Sequence, residues 1–262
     1  MELETIDYEV SDGVAHVRLA RPAGANAVNP QFSSDLRDVM LEIEWDDAVK
    51  AVSVTAEGKI FCAGGDLKEF NEAGAGLPKL TSRMLTDFHG GIYKMNRMPK
   101  PFVAGVNGSA GGAGLSIVSA FDLVVAGESS KFTMAYTRAG VTPDGTSTYF
   151  VARHIGVRRM LDLTLTNRVL SAQEAEAWGL VNRVVPDDEV DTVTAELAQS
   201  LADGPSWALG HAKQIVYAGF DSPLEQAGEL EGVTIAAAMG THDGREGIAA
   251  FVEKRPANFI GE

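Results

Sequence analysis

The chain is poor in cysteine: Cys62 stands alone among 262 residues. That excludes an internal disulfide and any cysteine-built metal cluster, and it fits a reducing compartment. Positive charge is also scarce, with 22 Lys and Arg against 36 Asp and Glu and a formal net charge of -14. Binding to nucleic acid needs a clustered basic footprint. No Lys/Arg run here exceeds a pair, so no nucleic-acid partner is expected. Long apolar runs are missing as well. The most apolar stretch, residues 115–126, is interrupted by Asp122 and is too short to span a bilayer. The start, MELETIDYEV, is acidic and has no apolar signal-peptide core. A cytoplasmic protein without membrane contact is therefore expected.

Apolar residues are not scarce. They make up 45% of the chain, enough for one sizeable core. "YEVSDGVAHVRLARP" predicts a hairpin turned at Asp12-Gly13. Pro30 opens a helical pattern with Phe32, Leu36, Met40 and Ile43 on one face. Strand patterns follow at "AVSVTAE", "FVAGVNG", "DLVVAG" and "KFTMAY", with helices between them at 80–95 and 115–120. Beyond residue 145 the pattern is almost wholly helical, in segments near 146–166, 171–178, 187–203, 205–218, 222–240 and 243–254. That order predicts an α/β core, residues 1–200, carrying the site, and a helical C-terminal region, 201–262.

Three segments carry candidate chemistry. In "FCAGGDLKEF", residues 61–70, a strand runs through Ala63, Gly64 and Gly65 into a helix, so a ligand can approach the main chain closely. Read plainly, the segment is a tight turn with Asp66 as helix cap. "NGSAGGAGLS", residues 107–116, is a second glycine turn into a helix. It is neither a Walker loop nor a full dinucleotide fingerprint. Close helix–strand packing explains its glycines equally well. If the two turns meet, they offer two amides to one oxygen, which suits a thioester carbonyl that becomes an enolate. The third segment, "GVTPDGTSTY", holds one acid, Asp144, as either a helix cap or a proton carrier.

With "FCAGGDLKEF", "VNGSAGGAGLS", "FDLVVAGESSKF", "LTNRVLSAQEAEAWGLVNRVV" and "EGIAAFVEKRPANFIG" in this order, nearly the whole chain resembles the enoyl-CoA hydratase/isomerase (crotonase) superfamily. The resemblance implies a spiral of ββα units with a helical trimerisation region, assembled as trimers or dimers of trimers. It implies an acyl-CoA substrate and neither metal nor redox cofactor. By position, the amides of Ala63 and Ala113 are expected to hold the thioester oxygen. Gly64, Gly65, Gly112, Tyr136 and Pro143 are expected around the acyl group. Asp66 and Leu67 are expected along the adenine side of coenzyme A, and Asn26 in the first contact loop. Phe251 and Lys254 are expected to reach the nucleotide from a neighbouring subunit.

The departures bear on the reaction. The family's hydratases carry two glutamates where this chain has Ser116 and Tyr136. Neither a hydroxyl nor a phenol replaces two carboxylates near neutral pH. Asp144 remains, at the position where the isomerase branches carry an acid after the proline. An enoyl-CoA isomerase with Asp144 as proton shuttle is the leading expectation, with hydratase as its nearest alternative. Dehalogenases of 4-chlorobenzoyl-CoA also have an aspartate there, supported by a histidine and a tryptophan. Those two positions are read as Tyr93 and Tyr136 here, which leaves water activation unexplained. A non-catalytic acyl-CoA scaffold is the alternative from another class. His89 is read as a partly exposed helix residue, Cys62 as a buried filler, and Tyr93 and Tyr136 as pocket walls.

Overall fold

The computed structural model describes residues 2–261. The expected hairpin is present as Ile6–Ser11 (β1) and Val14–Leu19 (β2). Asp12 and Gly13 turn it with φ of 49° and 79°, the pair of left-handed residues that a two-residue hairpin loop needs. Helix Pro30–Trp45 (α1) begins with proline in its first turn, and the Asn29 side chain caps it by accepting the Phe32 N–H. The elements that follow are Ala51–Ala56 (β3), Leu67–Ala73 (α2), Leu77–Arg97 (α3), Phe102–Val106 (β4), Ala110–Gly111 (β5) and Ala113–Ala120 (α4). Next come Leu123–Gly127 (β6), Lys131–Thr133 (β7), Ser147–Ile155 (α5), Val157–Thr166 (α6) and Val169–Ser171 (β8). Ala172–Trp178 (α7), Arg183–Val185 (β9) and Val190–Ala202 (α8) lead to Ser206–Asp221 (α9), Leu224–Gly240 (α10) and His242–Glu253 (α11).

Six strands form one sheet in the order β1-β2-β3-β4-β6-β9. Only the β1–β2 pair is antiparallel. A parallel sheet is covered on both faces, which is why β4, Phe102–Val106, reads as a continuous apolar run. Ala198 and Ala202 of α8 pack on Val14, Ala51 and Val103 on one side. The main core, including Phe32 and Met40 of α1 and Phe88 and Ile92 of α3, fills the other. A second sheet, β5-β7-β8, brings the end of the glycine turn beside β7.

Two parts of the helical reading differ from the structure. The stretch 146–166 is two helices, because Gly156 adopts φ 82° and breaks it. Strands β8 and β9 lie within the stretch read as helical. Each has three residues, too few to show a two-residue period.

Candidate active site

The two glycine turns do meet. Cys62 and Ala110 form a parallel bridge: the Cys62 N–H donates to the Ser109 carbonyl, and the Gly111 N–H donates to the Cys62 carbonyl at 3.0 Å. The glycines are what allow this approach. A Cβ on Gly114 would lie 2.2 Å from the Cys62 carbonyl oxygen. One on Gly64 would lie 2.8 Å from the Gly111 oxygen and 3.6 Å from the Ala113 nitrogen. Beside this junction is a largely apolar cavity of 480 Å³. Ala63, Gly64, Gly65, Leu67, Gly112, Ala113, Tyr136 and Asp144 all line it, with Met84, Leu85 and Phe88 of α3 as a wall.

One expected amide is elsewhere. The Ala63 N–H donates to the Ala25 carbonyl at 3.0 Å, so it is not available to a ligand. The Gly65 N–H is. It has no acceptor among the described residues, because the loop at Val28 bonds instead to the Gly64 carbonyl and the Asp66 N–H. Gly64 causes the shift. Along an extended chain successive N–H groups alternate in direction, and φ of 111° at Gly64 slips that alternation by one residue. Ala113 is as expected. It is the first residue of α4, its N–H has no described partner, and the helix dipole favours negative charge there.

Two other expected contacts are committed within the protein. Asn26 is fully buried. Its carbonyl oxygen accepts the Arg21 N–H, and its amide donates to the Glu57 and Ile60 carbonyls. It fixes the loop that holds Ala63 rather than touching a ligand through its side chain. Asp66 caps α2 through the Glu69 N–H and pairs with the Arg21 guanidinium at 2.6 Å. Burial alone pushes its pKa up, but Arg21 and the backbone donors outweigh this and hold it below the ordinary value. Pro143 is half-buried; its neighbours Thr142 and Asp144, not Pro143 itself, line the cavity. Phe251 and Lys254 are also absent from this wall; Phe251 is 86% exposed on α11. Lys254 closes that helix with a left-handed φ of 56°.

Asp144 does not cap a helix with its side chain. Helix α5 starts after Thr146 without a side-chain cap. The Tyr136 hydroxyl donates to Asp144 Oδ1 at 2.5 Å and stands 2.8 Å from Ser116 Oγ. Ser116 and Ser147 donate their hydroxyls to the Asp144 backbone carbonyl. Gly145 must be glycine: its φ is 59°, and a Cβ there would lie 2.7 Å from the Ser116 Cβ and 2.8 Å from the Phe88 ring. The acid loop therefore sits against α4, one turn from Ala113. Burial raises the Asp144 pKa, while the Tyr136 hydrogen bond pulls it back. Burial and the Asp144 charge push the Tyr136 phenol far above its ordinary value, so it remains a neutral donor.

The histidine expected to be absent from the site is present. His89 Nε2 accepts the Gly145 N–H at 3.1 Å, which holds the residue next to the acid. Tyr93 is instead 45% exposed, outside the cavity wall, with the Arg97 guanidinium over its ring. The sequence held one signal for this. His89 lies four residues beyond Leu85 on α3, the same stripe of the helix, and Leu85 lines the cavity. Cys62 is wholly buried, and burial pushes its thiol up to about 12 although the Gly64 N–H opposes this; it is the packing residue expected. No group of three His, Cys, Asp or Glu side chains among the described residues is placed to hold a metal ion.

A family model described as enoyl-CoA hydratase/isomerase matches residues 9–262. The 1,2-epoxyphenylacetyl-CoA isomerase of Escherichia coli (strain K12) is 33% identical over 261 residues, covering 99% of this chain and 100% of the relative. The 4-chlorobenzoyl coenzyme A dehalogenase-2 of Arthrobacter sp is 34% identical over 250 residues, covering 95% and 91%. The crystal structure of an enoyl-CoA hydratase from Bacillus anthracis superposes with a TM-score of 0.92 at 29% identity, covering 99% of this chain and 100% of that one.

Proposed function

Because the chain belongs to the enoyl-CoA hydratase/isomerase family of acyl-CoA enzymes, we propose that its reaction is a Δ3,Δ2-enoyl-CoA double-bond shift. The supporting observation is that Asp144 is the single carboxylate lining the cavity among the described residues. A shift of a double bond takes up no water and needs one group that removes a proton and returns it. Hydration by two carboxylates finds no second one: Ser116 and Tyr136 are both hydrogen-bonded into the Asp144 loop.

In this reading the thioester oxygen accepts from the N–H groups of Gly65 and Ala113. As Asp144 takes a proton from C2, negative charge moves onto that oxygen. Amides already fixed by the glycine junction stabilise it without reorganising. Coenzyme A lies along Leu67, and the nucleotide reaches Phe251 and Lys254 of a neighbouring subunit. The assembly is a trimer or a dimer of trimers. The exposed apolar residues Ile235, Met239, Ile248 and Val252 on α10 and α11 support it, since an isolated chain gains nothing by exposing them together.

Asp144→Asn is the test. Asn keeps the shape, so loss of the base should lower kcat for 3-enoyl-CoA isomerisation about a hundredfold or more. Full activity in the folded variant would end this reading. So would wild-type protein that hydrates 2-enoyl-CoA rapidly and isomerises nothing. One observation favours a second reading: His89 beside Asp144 supplies the histidine that a hydrolytic dehalogenase needs. Against it, His89 Nε2 is occupied by the Gly145 amide. Chloride release from 4-chlorobenzoyl-CoA separates the two readings.

A further inference from the structure

A carboxylate offers two nearly equivalent oxygens, yet the surroundings of Asp144 treat them differently. Oδ1 receives the Tyr136 hydroxyl at 2.5 Å. Oδ2 has no hydrogen-bond partner among the described residues and is not a buried, unpartnered atom, so it keeps accessible surface on the cavity side. Resting on the isomerase reading above, we propose that Tyr136 is a positioning residue: it occupies Oδ1, so that Oδ2 alone takes the proton from C2 and returns it to C4.

Tyr136 is itself held in a way that resists rearrangement. Ala135 adopts φ 51°, and the Tyr136 N–H donates to the Met134 carbonyl at 2.6 Å, a tight three-residue turn that throws the ring under Asp144. A non-glycine residue in that region costs about 1 kcal/mol or more and persists where surrounding contacts over-determine it. Ser116 Oγ lies 2.8 Å from the phenol oxygen on its other side, and its one hydrogen serves either that oxygen or the Asp144 carbonyl. The main chain here is pinned by Ser147 and Ser116 at the Asp144 carbonyl and by His89, which accepts the N–H of the next residue, Gly145. The carboxyl group is thus held at both its backbone and one oxygen.

The electron count is simple. The C2–H bond breaks as Oδ2–H forms, and the electron pair moves through C2 and C1 onto the thioester oxygen. That pair then returns, C4–H forms, the double bond moves to C2–C3, and Oδ2–H breaks. Between the two transfers the proton rests on an oxygen that no described side chain touches, while Oδ1 goes on accepting from the phenol. It has no relay to solvent through Tyr136, so the same proton goes back.

The titratable groups facing Asp144 are Tyr136, after β7, and His89, on α3. The phenol donor favours the ionised carboxylate, so its removal moves the acid limb of the rate profile to higher pH. The experiment uses 3-enoyl-CoA dideuterated at C2, turned over in ordinary water by wild type and Tyr136→Phe. Deuterium at C4 of the product and the pH profile of kcat/KM are measured. Wild type should carry most of the label from C2 to C4. Tyr136→Phe, which keeps the ring, should carry several-fold less and show an acid limb at higher pH. Equal label transfer by the two proteins overturns the proposal alone. So does loss of label with an unmoved acid limb, which marks Tyr136 as packing. Absence of any isomerisation by wild type overturns the isomerase reading and the proposal with it.

Discussion

Helices α4 and α10 are made of similar material and used in opposite ways. All eight residues of α4 are buried, whereas none of the seventeen in α10 is. Both are rich in small and apolar residues, including glycine within the helix. In α4 the small residues let one backbone lie on another, with an amide at the cavity wall and the Ser116 hydroxyl against the Asp144 loop. In α10 Gly228 and Gly232 face open space within the chain. The contrast teaches that the cavity and its glycine junction are closed within one chain, while the apolar surface of the C-terminal helices is left uncovered by it.

The strongest way to break the comparison is the same small substitution in each helix. Gly114→Ala puts a methyl 2.2 Å from the Cys62 carbonyl oxygen, a backbone atom that cannot rotate away. Overpacking of this kind should cost about 3 kcal/mol or more. That is a fall of about 10 °C in melting temperature for a chain of this size, with the amides displaced and activity lost. A folded, active variant would mean the two turns do not interlock.

Next in size is the assembly. Ile235→Glu places a charge on the exposed face of α10 without touching the core, Ile235 being 58% exposed. Sedimentation velocity should show conversion of the assembly to monomer, and KM for the acyl-CoA should rise with it. An unchanged sedimentation coefficient would remove α10 from the interface.

A smaller effect separates activity from stability at Asp144. Its carboxyl pKa is raised by burial. The folded protein therefore binds the proton more readily than the unfolded chain, and the cost of burying the charge appears as pH rises above the ordinary carboxylate value, about 3.9. Asp144→Asn should match or exceed wild-type thermal stability at pH 7–8. The difference should vanish as pH falls below that ordinary value. A variant less stable at pH 8 than at pH 4, relative to wild type, would contradict this sign.

The smallest effect is the mirror of the first. Gly232→Ala meets no atom within 4 Å and should stabilise the helix by about 0.5–1 kcal/mol. A measured loss would show that a neighbouring subunit's backbone comes close at that point, which would sharpen the contrast between the two helices.

The same contrast explains what the sequence made legible. The strand–helix alternation and the hairpin at Asp12-Gly13 are written in residue types that leave few alternatives, whereas the glycine turns showed that a close approach was permitted and not that they meet each other. Asp144 stood out because it is an acid between proline and glycine, although a helix cap was an equal reading until the structure showed its side chain capping nothing. The choice between Ala63 and Gly65 was not legible. It depends on one dihedral at Gly64, and a glycine reports that unusual φ is permitted, not where it falls. His89 was hidden for a different reason: its partner is the Gly145 amide, 56 positions away, and a backbone N–H leaves no mark in a sequence. Asn26 was expected in the first contact loop from the family resemblance, and only its three internal bonds identify its side chain as scaffold.

The donors at the glycine junction belong to the main chain, and this has a consequence for descent. Short of a change to proline, no substitution deletes the N–H of Gly65 or Ala113, so a lineage inherits these two donors almost regardless of which side chains drift. Carboxylates are different, since they are gained or lost one residue at a time. At positions 116, 136 and 144 the acid can be redistributed while the amides stay in place. Relatives bearing the names of isomerase, dehalogenase and hydratase at closely similar identity to this chain are what such an inheritance would leave behind.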